Sequence, residues 1–95
     1  MATGRADIDV SDVMTSEDLH DLLRDRLAFP GWYGRNWDAF WDCARDPEIS
    51  VMPAVLCIRG WQQLETRLPR DAKELRQCLD DLGTERQDVQ VRWDV

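Results

Sequence analysis

The sequence predicts an α/β fold, a three-stranded parallel sheet packed with about four helices. Apolar residues alternate or run together in three short segments near residues 8–10, 54–58 and 89–93, and stretches with helical spacing separate them. The order strand, two helices, strand, two helices, strand calls for crossover connections, which join parallel neighbours. The chain has 95 residues and 11.1 kDa, 43% of them hydrophobic and 33% charged, enough for one core and not for two. Residues 1–95 are therefore expected to form a single domain.

Ile8 and Val10, with Val13 beyond them, alternate with acids and predict a short first strand. Thr15 stands three residues before Asp18 in the manner of a capping box. Leu19, Leu22, Leu23 and Leu27 then follow at helical spacing until Pro30 closes a helix over about 16–28. His20, between Leu19 and Leu22, reads as a surface or edge residue. Pro30-Gly31 turns the chain, Trp32-Tyr33-Gly34 forms an aromatic loop, and Asn36 caps a second helix running to about Arg45. Pro47 and Pro53 bracket an irregular connection. Ala54-Val55-Leu56-Cys57-Ile58 lacks polar alternation, which suits a strand covered on both sides or in the middle of a small sheet, and Gly60 ends it. Trp61 to Glu65 predicts one short helix. After Pro69 a longer helix is expected to bury Ala72, Leu75, Cys78, Leu79 and Leu82 until Gly83 stops it. Val89-Gln90-Val91-Arg92-Trp93 alternates as a last strand.

Nineteen acids against twelve bases give a charge of −7 and a pI near 4.5, which repels phosphate backbones and anionic lipid. Direct binding to nucleic acid or membrane is not expected. Eleven of the acids but only five of the bases lie in residues 1–50, so the negative field belongs to the first half. Such a field draws basic partners, although it also serves solubility alone. No apolar run is long enough for a membrane helix and the first residues lack a signal-like segment, so a cytoplasmic location is expected. Cys43, Cys57 and Cys78 are odd in number without CxxC spacing, which fits reduced thiols. With a single histidine, no metal or cofactor site is expected.

On a helical wheel Trp37, Phe40, Trp41 and Ala44 share one apolar stripe, and Asp38, Asp42 and Asp46 fall beside it at i, i+4 and i+8. Like charges at that spacing destabilise a helix, so folding alone does not ask for them. Asp38 lies in the first turn, where the helix dipole favours an anion, but Asp42 lies near the middle. Trp41 falls on the seam between stripe and acids, the arrangement of an interface anchor; a core tryptophan beside a solvated face has the same spacing. Arg45 falls among the acids and could pair with Asp38 or Asp42. Two carboxylates adjacent on a convex helix do not face each other across a substrate. No nucleophile with a histidine partner and no phosphate-binding loop accompanies them, so no enzyme is expected.

The run Leu27-Ala28-Phe29-Pro30-Gly31-Trp32-Tyr33-Gly34-Arg35-Asn36-Trp37-Asp38-Ala39-Phe40-Trp41-Asp42-Cys43, preceded by Asp18-Leu19-His20, resembles the signature of the barstar family of ribonuclease inhibitors. The element order resembles the family's over nearly the whole chain. The resemblance implies an intracellular, non-catalytic immunity protein that neutralises a basic microbial ribonuclease, barnase-type or toxin-borne, in a 1:1 complex. In that family the second helix and the loop before it plug the enzyme's active-site cleft and mimic RNA phosphate. Carried over by position, Asp42 is the phosphate mimic and Asp38 pairs with a further cation. Trp32 stacks in the cleft, and Gly34, Asn36 and Trp41 complete the contact. The last helix aligns so that Asp81 takes the place of an acidic contact residue, with Asp80 adjacent to it.

Trp32 is larger than the tyrosine usual at its position, and Arg45-Asp46-Pro47-Glu48 replaces the family's Gly-Trp contact loop. Arg35 and Arg45 add positive charge beside the site. These departures point to a partner surface unlike the prototype's. The alternative function is a binding module of the same fold whose acidic face meets a basic partner that is not a nuclease.

Overall fold

A computed structural model describes residues 4–49 and 52–94; Ser50 and Val51, within the expected irregular connection, lie outside the described residues. The elements are β1 (Arg5–Asp9), α1 (Ser16–Leu27), α2 (Trp37–Arg45), β2 (Val55–Arg59), α3 (Trp61–Arg67), α4 (Pro69–Glu85) and β3 (Gln90–Asp94). The sheet order is β1-β2-β3 with both pairs parallel, so the continuous apolar run is the central strand. With four helices packed against it, the arrangement is the α/β one expected.

Ile58 sits between Ile8 and Trp93, and Leu56 between Ala6 and Val91. These rows point into the core, and successive residues of a strand point to opposite faces. The other face therefore carries Asp7, Cys57 and Arg92 and, one row on, Asp9, Arg59 and Asp94. It is charged and wet: Arg59 lies 3.8 Å from Asp7 and 4.0 Å from Asp94, and Arg5 lies 3.1 Å from Asp7. Cys57 is nonetheless buried beneath this lattice of ion pairs.

The helices form where their caps and stripes direct. The Thr15 hydroxyl accepts the Asp18 N–H at 3.1 Å, and Leu19, Leu23 and Leu27 of α1 are buried. Ala28 turns into the left-handed region (φ 54°) and ends α1 just before Pro30. Gly60 holds φ 74° between β2 and α3, and a Cβ there would stand 2.6 Å from that of Ser11, so the close approach of these chains requires glycine.

Three expectations need correction. Val10 and Val13 are buried in the turn after β1 rather than in the strand, with the Val13 N–H on the Val10 carbonyl. Gly83 does not stop α4, which continues to Glu85. The Arg86 N–H closes it on the Leu82 carbonyl at 2.7 Å, while the Arg86 guanidinium reaches the Ala44 carbonyl at the end of α2. A tertiary contact thus sets the end that glycine alone would have set earlier. Cys78 is half-buried at the edge of the core, packed against it rather than deep within it.

Candidate functional site

The loop between α1 and α2 is built by two buried rings that leave a third outside. Phe29 and Tyr33 are 7% and 5% exposed, with ring centroids 5.2 Å apart, and the Tyr33 N–H closes a turn on the Pro30 carbonyl. Trp32, immediately before Tyr33, is consequently turned outward and 67% exposed. An indole left in water has no folding reason, whereas it supplies area and stiffness to an interface. A Cβ at Gly34 would come within 3.2 Å of the Asn36 amide, so the residue keeps the loop close to the start of α2.

Asn36 caps that helix. Its Oδ1 accepts the Ala39 N–H at 2.7 Å while its Nδ2 donates to the Gly34 carbonyl at 3.2 Å. Both ends of the amide are engaged, which fixes the start of α2 against the loop. Arg35, in the left-handed region (φ 50°), turns its guanidinium back onto Asp21 of α1 as a two-pronged pair, 2.9 and 3.3 Å. Its ion pair is thus with α1 and not with the acids of α2.

A buried cluster fixes this loop against the body. His20 is 1% exposed, a correction to the surface or edge position read from its place beside the leucine stripe. Its Nδ1 is hydrogen-bonded to the Tyr33 hydroxyl and its ring lies 4.5 Å from that of Trp37. Burial holds the imidazole below its ordinary pKa, against the raising influence of Asp71 and Asp21, and pushes the Tyr33 phenol up. Asp71 of α4 accepts from both the Ser16 hydroxyl (3.2 Å) and the Trp37 indole (3.1 Å), tying α1 and α2 to α4. The local pattern did not reveal this cluster, because its members lie on four elements.

On α2 the buried residues are Phe40, Cys43 and Ala44, while Trp37 and Trp41 are half-buried at the rim of the core. Trp41 thus occupies the seam. Asp38 and Asp42 are exposed beside it, but Asp46 does not extend their row. The helix ends at Arg45, and Asp46 adopts extended angles with its carboxylate accepting the Glu48 N–H. The signal was present in Pro47, because the residue before a proline is driven from the helical region. Arg45 lies 3.8 Å from the Asp42 carboxylate and over the Trp41 ring, 6.0 Å from its centroid. Burial raises the Cys43 thiol pKa, and Asp42 and Asp46 add to the effect.

The last helix adds acids to the same side. Burial pushes the Cys78 thiol up to about 11, and the charges of Glu74, Asp81 and Asp38 reinforce it. Asp81 accepts from Gln77 at 3.1 Å. Asp80 turns to the opposite flank, 3.9 Å from Arg76, whose guanidinium lies over the Trp93 ring at 4.6 Å. Beyond Asp42 an open groove of about 590 Å³ is lined by Trp32, Asp42, Arg45, Asp46, Pro47, Ile49 and Glu85. Glu85 is some forty residues from the others in sequence, so no local pattern could have placed it there.

Among the described residues no group of three or more histidine, cysteine or acidic side chains could hold a metal ion, and no helix is long and apolar enough to cross a membrane. The loop and α2 thus present an exposed indole and two exposed carboxylates beside a groove.

A family model described as "Barstar (barnase inhibitor)" matches residues 5–95. The Bacillus subtilis (strain 168) protein named "Putative ribonuclease inhibitor YrdF" is 35% identical over 81 residues, covering 85% of this chain and 87% of the relative.

Proposed function

The chain belongs to the barstar family, and from that premise we propose that it is a non-catalytic, cytoplasmic inhibitor of a basic microbial ribonuclease, barnase-type or toxin-borne. The observation that carries the reading is the outward Trp32, which lines one groove with Asp42, together with the exposed Asp38 and Asp42 and the half-buried Trp41 on a capped helix. A ribonuclease cleft is lined by cations that bind RNA phosphate. An exposed carboxylate delivered into it on a stiff element meets those cations without first having to be ordered. Asp42 takes the place of the phosphate, and Asp38 and Asp81 pair with cations at the margin of the cleft. Trp32 and Trp41 contribute apolar area around them. Gly34 and Asn36 hold the loop and helix in the register that brings both aromatic rings forward. The chain acts as one domain and binds one enzyme, because this single face carries the whole contact.

Titration into RNA-cleavage assays tests the proposal, with a barnase-type ribonuclease and with any nuclease encoded beside this chain. Wild type should abolish cleavage with an endpoint at one equivalent. Asp42→Ala should bind more weakly by about 2 kcal/mol or more, a magnitude carried over from charged hot spots for which barnase and barstar are themselves the reference case. Inhibition by both proteins alike would remove Asp42 from the site. Inhibition by neither would favour a basic partner that is not a nuclease.

A further inference from the structure

Arg45 is the one cation among the described residues that line the groove. Its guanidinium stands 3.8 Å from Asp42 and over the ring of Trp41. A carboxylate on one side and an indole face on the other is the setting in which a protein holds a guanidinium. The free molecule thus already carries, on its own chain, a group of the kind that the face is built to meet.

We propose that Arg45 is an intramolecular competitor for the Asp42 site, and that by this competition it selects which targets the protein binds. The inference rests on the ribonuclease-inhibitor reading. An incoming cationic side chain must first displace Arg45 from Asp42. Its position in the last turn of α2 opposes the displacement, because a cation there is favoured by the helix dipole. Once displaced, Arg45 remains tethered within one turn of Asp42, so its charge stays at the edge of the interface. A uniformly basic cleft repels it. A cleft whose rim carries a carboxylate opposite the end of α2 accepts it, and gains an ion pair across the interface. The preferred target is therefore a basic enzyme with an acidic side chain at the margin of its cleft, facing residues 45–49. Arg35 has no such role, since it is engaged with Asp21 on the far side of the loop.

The test measures association rate and affinity of wild type, Arg45→Ala, Asp42→Ala and the double variant. The probes are a barnase-type ribonuclease and any nuclease encoded beside the chain. Against the barnase-type enzyme, Arg45→Ala should bind roughly three- to tenfold more tightly than wild type: about twofold from the lost competition for Asp42, and the remainder from faster association at low salt once a positive charge leaves the interface. In the Asp42→Ala background the gain should be about twofold smaller, because the group competed for is gone and only the effect of the removed charge remains. Arg45→Lys keeps the charge but loses the planar stack and should fall between wild type and alanine. Equal binding by wild type and Arg45→Ala overturns the inference and leaves the inhibitor reading intact. A gain of the same size in both backgrounds overturns it as well, since that would be a general charge effect. Binding of neither wild type nor Arg45→Ala to any of the nucleases overturns the inhibitor reading itself, and the inference with it.

Discussion

His20 makes folding stability depend on pH in a window where few other groups titrate. The imidazole is 1% exposed and hydrogen-bonded to Tyr33, and burial holds its pKa below the ordinary 6.5 in the folded chain, with Asp71 and Asp21 opposing the shift and Arg35 assisting it. As pH falls through about 6.5 the unfolded chain takes up a proton that the folded chain refuses, so stability is lost as pH falls and is complete above that value. A one-proton difference corresponds to a slope of about 1.4 kcal/mol per pH unit at most, continuing until the folded imidazole itself titrates. The carboxyls of Asp7, beside Arg5, and of Asp9, beside Ser11, are held below the usual carboxylate range. Their contribution is lost only at lower pH and does not enter this window. The assay is urea unfolding at half-unit steps from pH 5 to 8, for wild type and for His20→Gln, which retains a polar partner for Tyr33. Wild type should lose stability toward pH 5 with a slope of at most one proton, and the variant should be nearly flat. Parallel curves, or a wild type that gains stability on acidification, would refute the reasoning.

Asn36→Ala removes both amide contacts of the α2 cap and should cost about 1 kcal/mol of stability by urea unfolding, with a loss of partner affinity as α2 loses its aim. Asp42→Ala should leave stability unchanged or raise it slightly, since it removes a like-charge neighbour of Asp38 and only a weak surface pair with Arg45, and this is read from the same unfolding curves. Asp81→Asn should weaken inhibition roughly threefold or more, whereas Asp80→Asn should not, because Asp80 faces Arg76 on the other flank. Raising salt should weaken the complex mainly by slowing association, as stopped-flow kinetics would register, and a flat response would remove the electrostatic part of the account.

What could be read from the sequence was local. Thr15 and Asn36 announced their helices because a cap bonds within three residues, and both bonds are made. The central position of β2 followed from a run with no polar face. What could not be read depended on residues distant in the chain. His20 at the edge of a leucine stripe has the same local pattern whether it faces water or Tyr33, and only the return of the loop over α1 buries it. Gly83 ends a helix in the absence of other contacts, but Arg86 reaching Ala44 carries α4 two residues further. The acidic row was half legible. Asp38 and Asp42 stand as their spacing required, whereas Asp46 leaves the helix before Pro47 and becomes a wall of the groove with Glu85.

The face proposed to contact a ribonuclease is the loop carrying Trp32 with α2 and the adjoining side of α4. Amide hydrogen exchange of the chain alone and in complex with the enzyme it inhibits tests this most directly. The account predicts new protection confined to residues 31–46 and the second half of α4, with the charged sheet face of Asp7, Arg59 and Arg92 exchanging as before. Protection centred on that sheet face, with residues 31–46 unchanged, would contradict it.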